Sequence, residues 1–147
     1  MRSMPVVISG VVTGVAHGTA KARNEKIAPL LYARLPELKG FDLGTLNVQA
    51  LSPRGLKIAK LSSPDQSVVR VPRTEYEWRK RPLRAETIAF VPVKFTVEGK
   101  VKRLGGYLYL PSRSSRPRRG ILEIMSRDNL KQTYGVKEGD VVVIELA

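Results

Sequence analysis

FDLGTLNVQA, residues 41–50, is the stretch on which the reading of this chain turns. Upstream of it the apolar spacing is helical; past Gly44 it becomes that of short strands separated by turns. Thr45, Leu46 and Val48 suit a strand, whereas Asn47 is a type depleted in strands. Strand side chains alternate, so Thr45 and Asn47 share one face and Leu46 and Val48 the other. A hydroxyl and an amide oxygen side by side suit a hard cation such as Mg²⁺, which prefers oxygen ligands. Both are neutral, which makes sense where phosphates supply the negative charge. The same pair also fits an ordinary strand start with Asn bonded to local backbone.

Toward the N-terminus, EKIAPLLYARLPEL keeps Ile27, Leu30, Leu31 and Leu35 at helical spacing. Pro29 falls in the first turn, where its missing N–H costs little, and Pro36 and Gly40 limit the far end. TGVAHGTAKA reads as a glycine-containing loop, and PVVISGVVTGV before it as a strand with Gly10 as a bulge or bend. Glycines near a strand end let backbone N–H groups approach a phosphate. There is no GxxxxGK[ST], and no helix opens directly on the loop as in a dinucleotide fingerprint. Taken alone, it fits an ordinary turn better. His17, the one histidine, reads as a loop side chain and not as a base.

Toward the C-terminus, TLNVQAL, GLKIAKL and SVVRV read as strands, and the polar, basic TEYEWRKRPLRAE as a loop. ETIAFVPVKFTV and KRLGGYLYL flank VEGK as a hairpin, PSRSSRPRRG is a loop and ILEIM a strand. SRDNLKQTYG gives one or two helical turns with Ser126 as N-cap and Gly135 past the end. VKEGDVVVIEL closes with a turn at Glu138–Asp140 and a last strand. Many short strands and little helix predict a mainly β fold, a small barrel whose closure removes exposed edges. Glu123 lies between Leu122 and Ile124 and faces the other way. It is either solvent-facing or kept for a polar ligand, where it could accept a proton from a substrate hydroxyl.

The chain has 147 residues and a formal net charge of +13, which fits one domain attractive to polyanions: nucleic acid, an anionic membrane or phosphate-bearing small molecules. Its basic clusters are Arg79, Lys80, Arg81 and Arg84, beside Tyr76 and Trp78, and Arg113, Arg116, Arg118 and Arg119. Aromatics among cations are what stacking on bases would use, and a solvated loop is the plain alternative. With no cysteine, disulfides, thiolate metal sites and a Cys nucleophile are excluded, and a cytoplasmic location is expected. No apolar run approaches the roughly 20 residues that span a bilayer, and the N-terminus lacks a full signal-peptide layout.

In order along the chain stand TGVAHGTA, KGF, GTLN at Gly44–Asn47, FVPVKF, GYLYLP, LEI at Leu122–Ile124, an Asn-Leu-Lys helix and EGD with an apolar tail. This series resembles the archaeal CTP-dependent riboflavin kinases over nearly the whole chain, with GTLN its most specific part. The resemblance implies a six-stranded cradle-loop β-barrel with one or two short helices. It implies transfer of the γ-phosphate of CTP to the riboflavin 5′-hydroxyl, giving FMN and CDP. A monomer is expected. Thr45 and Asn47 would hold Mg²⁺. Gly14, Val15, Ala16, His17, Gly18, Thr19 and Ala20 would hold the nucleotide, with Asp128, Asn129, Leu130 and Lys131. Glu123 would touch the flavin, as would Ser114 or Ser115. The chain departs from the family where Ala16 replaces a glycine, PSRSS replaces P-x-x-T-Y, Ser126 and Arg127 replace Ala-Pro, and Lys131 replaces Arg.

Overall fold

The computed structural model describes residues 6–14, 19–51, 65–78, 81–83, 85–113 and 117–146, with backbone alone at 19–20, 74–78, 81–83 and 118. The predicted strand GLKIAKL lies outside the described residues. The strands are β1 (Val6–Gly14), β2 (Leu46–Ala50), β3 (Ser67–Val71), β4 (Thr74–Trp78), β5 (Arg81–Leu83), β6 (Glu86–Val97), β7 (Val101–Pro111), β8 (Ile121–Met125) and β9 (Val141–Leu146). Six close a barrel: antiparallel ladders run β6-β7-β8-β2-β1-β9, and β9 returns to β6. Closure leaves these six without a free edge.

The strand β6 lets a seventh join. Its first half pairs with β3, from Val71↔Glu86 to Ser67↔Phe90, and its second half with β9, from Val93↔Leu146 to Val97↔Val142. Pro92 sits at the change of partner, where a residue without an N–H costs no ladder bond on that side. The alternation along β6 sends Val91, Val93, Phe95 and Val97 into the barrel, where they meet Leu46, Val48, Leu122 and Ile124. Ile88 and Phe90 go to the outer face.

A second layer covers that face: helices α1 (Thr19–Lys26) and α2 (Ala28–Arg34), then a 3₁₀ turn at Pro36–Gly40. Ile27, Leu31, Leu35 and Leu38 pack there against Ile88, Phe90, Tyr109 and Met125. Strands β2 and β8 are therefore buried on both faces, which places polar residues of their outer face under cover. Helix α3 (Leu130–Tyr134) turns Leu130 into the barrel core. No helix among the described residues is long and apolar enough to cross a membrane.

Four local expectations change. Residues 74–78 and 81–83, read as loop, pair as the hairpin β4–β5; Thr74, Tyr76 and Trp78 are strand formers at alternate positions, and this outweighs the intervening charges. Thr19–Ala22 of the predicted glycine loop belong to α1, which carries no large apolar side chain and so shows no apolar period. Gly10 lies in regular ladder opposite Ala50 and Val142, and the irregularity falls between Val12 and Gly14. Asn129, not Ser126, caps α3: its Oδ1 accepts from Gln132 N at 3.1 Å, while Ser126 Oγ donates to the Asp128 carbonyl at 2.6 Å. Pro29 and Gly135 stand where expected, Pro29 in the first turn of α2 and Gly135 at the end of α3 with φ of 68°.

Gly106 marks a close approach. A Cβ there would lie 2.7 Å from the Met125 carbonyl oxygen and 3.1 Å from the Phe95 ring. Gly106→Ala should therefore cost about 1–3 kcal/mol through overpacking against backbone. Urea unfolding checks this, and an unchanged midpoint would show that β7 and β8 can part freely.

Candidate active site

On the outer face of the barrel the pairs Gly14↔Asn47 and Asn47↔Glu123 set residues of three strands in one row. The β7–β8 register, Leu108↔Ile124, continues to Tyr109 beside Glu123. Thr45 stands next to this row, and its hydroxyl donates to Glu123 Oε1 at 3.2 Å. Thr45, Asn47 and Glu123 are 1, 7 and 6 % exposed, so the solvent-facing alternative for Glu123 is excluded. The sequence separation of Thr45 and Glu123 is 78 residues, and the β2–β8 ladder brings them together.

Asn47 Oδ1 is buried with no hydrogen-bond partner among the described residues. Leaving a buried acceptor unmade costs about 1–3 kcal/mol, so a binding role explains it better than a structural one. The Asn47 amide reaches the end of β1: its Nδ2 is 3.8 Å from where a Cβ on Gly14 would be. The Thr45 hydroxyl, while donating to Glu123, keeps acceptor capacity of its own. Among the described residues no cluster of three or more His, Cys, Asp or Glu side chains could hold a metal alone. Two neutral oxygens beside one carboxyl fit a hard cation whose remaining ligands come from an anionic substrate.

A further set of polar groups fixes these elements to each other. The helix α1 contributes Asn24, fully buried, whose Nδ2 donates to the Leu43 carbonyl at 2.9 Å, two residues before Thr45. The Tyr109 hydroxyl donates to Asn24 Oδ1 at 3.1 Å. Arg23, one residue earlier, pairs with the buried carboxyl of Glu86. The Gly44 N–H donates to Asp42 Oδ1 at 2.8 Å, and Lys21 of α1 lies 3.6 Å from the other Asp42 oxygen. The Asp42 N–H in turn reaches the carbonyls of Ser126 and Arg127. So α1, the turn entering β2 and the turn leaving β8 are joined around the Thr45–Asn47–Glu123 group. None of Arg23, Asn24 and Glu86 is indicated by the sequence motifs, and Tyr109 lies in GYLYLP without a role assigned to it. The one available signal was Tyr107 and Tyr109 on the same face of β7.

Burial pushes the Tyr109 phenol up to about 12; the Arg23 charge opposes this and the Glu123 carboxyl adds to it. With an unfolded value near 10, the group's contribution to stability is fully present below pH 10 and is lost as pH rises through 12. The loss amounts to roughly 2–3 kcal/mol at full titration. Tyr109→Phe should abolish this alkaline component while costing about 1–3 kcal/mol at neutral pH, because Asn24 Oδ1 loses its donor. Urea midpoints of both proteins from pH 8 to pH 12 check it, and parallel curves would refute it.

The other expected residues divide. Val15, Ala16, His17, Gly18, Ser114 and Ser115 lie outside the described residues, as do Arg79, Lys80, Arg84 and Arg116. Thr19 and Ala20 open α1. Asp128 Oδ2 accepts from the Tyr134 hydroxyl at 3.2 Å, Asn129 is the helix cap and Leu130 is in the core, while Lys131 is exposed and makes no ion pair among the described residues. Arg113 Nε donates to the Ala85 carbonyl at 2.6 Å. Scans against protein-family models and against curated proteins find nothing that matches this chain.

Proposed function

We propose that this chain is a riboflavin kinase, moving the γ-phosphate of a nucleoside triphosphate, CTP by resemblance, to the 5′-hydroxyl of riboflavin. The observation that supports it most is the Thr45–Asn47–Glu123 group at the end of β1, with a buried Asn47 Oδ1 that lacks a partner. A cation binder, a carboxyl and a strand end leading into a glycine loop are the parts that phosphoryl transfer needs.

The work of the chain is placement. The Glu123 carboxyl accepts or orients the proton of the ribityl hydroxyl, and the Thr45 hydroxyl fixes the carboxyl's direction. By resemblance the stretch that follows Gly14, which lies outside the described residues, would hold the phosphates. Burial of Glu123 keeps water from the carboxyl and strengthens its electrostatic interactions. Mg²⁺ held by Thr45 and Asn47 would neutralise charge on the phosphates. A cytoplasmic setting suits a chain without cysteine. Incubation with riboflavin, Mg²⁺ and each of the four nucleoside triphosphates should give FMN and the matching diphosphate, with CTP the best donor. No FMN from any donor overturns the proposal.

A further inference from the structure

Beyond the polar group, the outer face carries a cleft of about 400 Å³ between the middle of the β6–β7 ladder, the 3₁₀ turn before Phe41 and the turn Ser126–Asp128. Its wall is aromatic. Phe41 and Tyr107 stand 5.5 Å apart with rings inclined at 38°, both half-buried. Pro92 and Gly105 leave the adjoining floor low, and the Lys94 ammonium lies close over Gly105. The Arg127 guanidinium sits 5.7 Å over the Phe41 ring. Lys94 and Arg127 make no ion pair among the described residues, and neither do exposed Lys39 and Lys102 nearby in sequence. The cleft has carboxyls too: Glu37 accepts from the Tyr107 hydroxyl at 3.5 Å, and Asp128 accepts from Tyr134.

We infer that this cleft is a stacking site for one base of a single-stranded nucleic acid, with Lys94 and Arg127 taking the flanking phosphates. Three observations carry it. The cleft is walled by two aromatic rings, the kind of surface that binds bases without regard to sequence. Its rim cations make no ion pair among the described residues, so they are available to a polyanion. The chain's +13 charge exceeds what one bound nucleotide would call for and suits a longer strand. The recessed rings are out of reach of bases stacked within a duplex, so an unpaired strand is the occupant. This inference does not depend on the kinase reading.

Fluorescence anisotropy of labelled oligo(U) against salt tests it. The intact chain should bind with a log-linear salt dependence. Lys94→Ala with Arg127→Ala should make the slope shallower by about 1–1.5, roughly 0.7 for each single-strand phosphate contact. Tyr107→Leu keeps an apolar side chain but removes the stacking surface, and should weaken binding about tenfold or more with the slope retained. Thermal unfolding of each variant establishes that it is folded; the two cation variants lie at the surface and serve if Tyr107→Leu is not. Absence of binding overturns the inference. So does equal affinity for duplex RNA, which would mean general charge attraction, or full competition by UMP at the same concentration of nucleotide, which would mean a site for free nucleotides.

Discussion

Glu123→Gln should leave riboflavin binding nearly intact and slow FMN formation by about 10²–10⁴-fold, toward the lower end because a loose phosphoryl-transfer transition state needs less help from a base. The substitution is well matched to the site. Thr45 donates to Glu123 Oε1, and a glutamine oxygen can accept the same bond, so the orientation of the side chain survives and the basicity does not. Burial of the position sharpens the outcome, since water has little access to replace the lost carboxyl. Riboflavin fluorescence quenching and single-turnover FMN formation, measured on one variant, separate the roles. A parallel, modest fall in both would make Glu123 a positioning group. No change in either would remove it from the site.

Asn47→Ala should reduce turnover by about 100-fold or more without weakening the fold. Metal-assisted charge neutralisation is worth several kcal/mol, and loss of about 3 kcal/mol of it corresponds to that factor. Stability should move the other way. The Asn47 oxygen is buried without a partner among the described residues, so removing it relieves a desolvation cost of about 1–3 kcal/mol that offsets the small loss of packing. A group whose removal raises or preserves stability while activity collapses is one retained for function. Urea midpoints and FMN formation across a Mg²⁺ titration check both halves. A clearly destabilised variant with normal activity would make Asn47 structural.

Much of the barrel is legible in the sequence. Glu86–Val97 is read there as one strand with its present bounds, because alternation over twelve residues outlasts any helical reading. The hairpin into β7, the facing of Thr45 and Asn47 away from Leu46 and Val48, and the facing of Glu123 away from Leu122 and Ile124 follow from the same period of two. The helix α1 escapes the same reading. Among residues 21–26 the one deeply buried is the polar Asn24, and an apolar period cannot reveal a helix held by hydrogen bonds. The hairpin β4–β5 escapes because its charges mimic a solvated loop.

The sequence by itself determined which faces the strand residues occupy, the turn chemistry at Pro29 and Gly135, the positive charge, and the GTLN stretch as the place to look. These are local properties: backbone geometry imposes them within a few residues. Tertiary structure alone decided that Thr45 meets Glu123 across 78 residues and Tyr109 meets Asn24 across 85. It also decided that β6 changes partner at Pro92, and that the polar face of β2 and β8 is covered instead of solvated. Those outcomes depend on strand register and barrel closure. Register is fixed only when every strand's apolar set is buried at once, so no single stretch of the chain contains it.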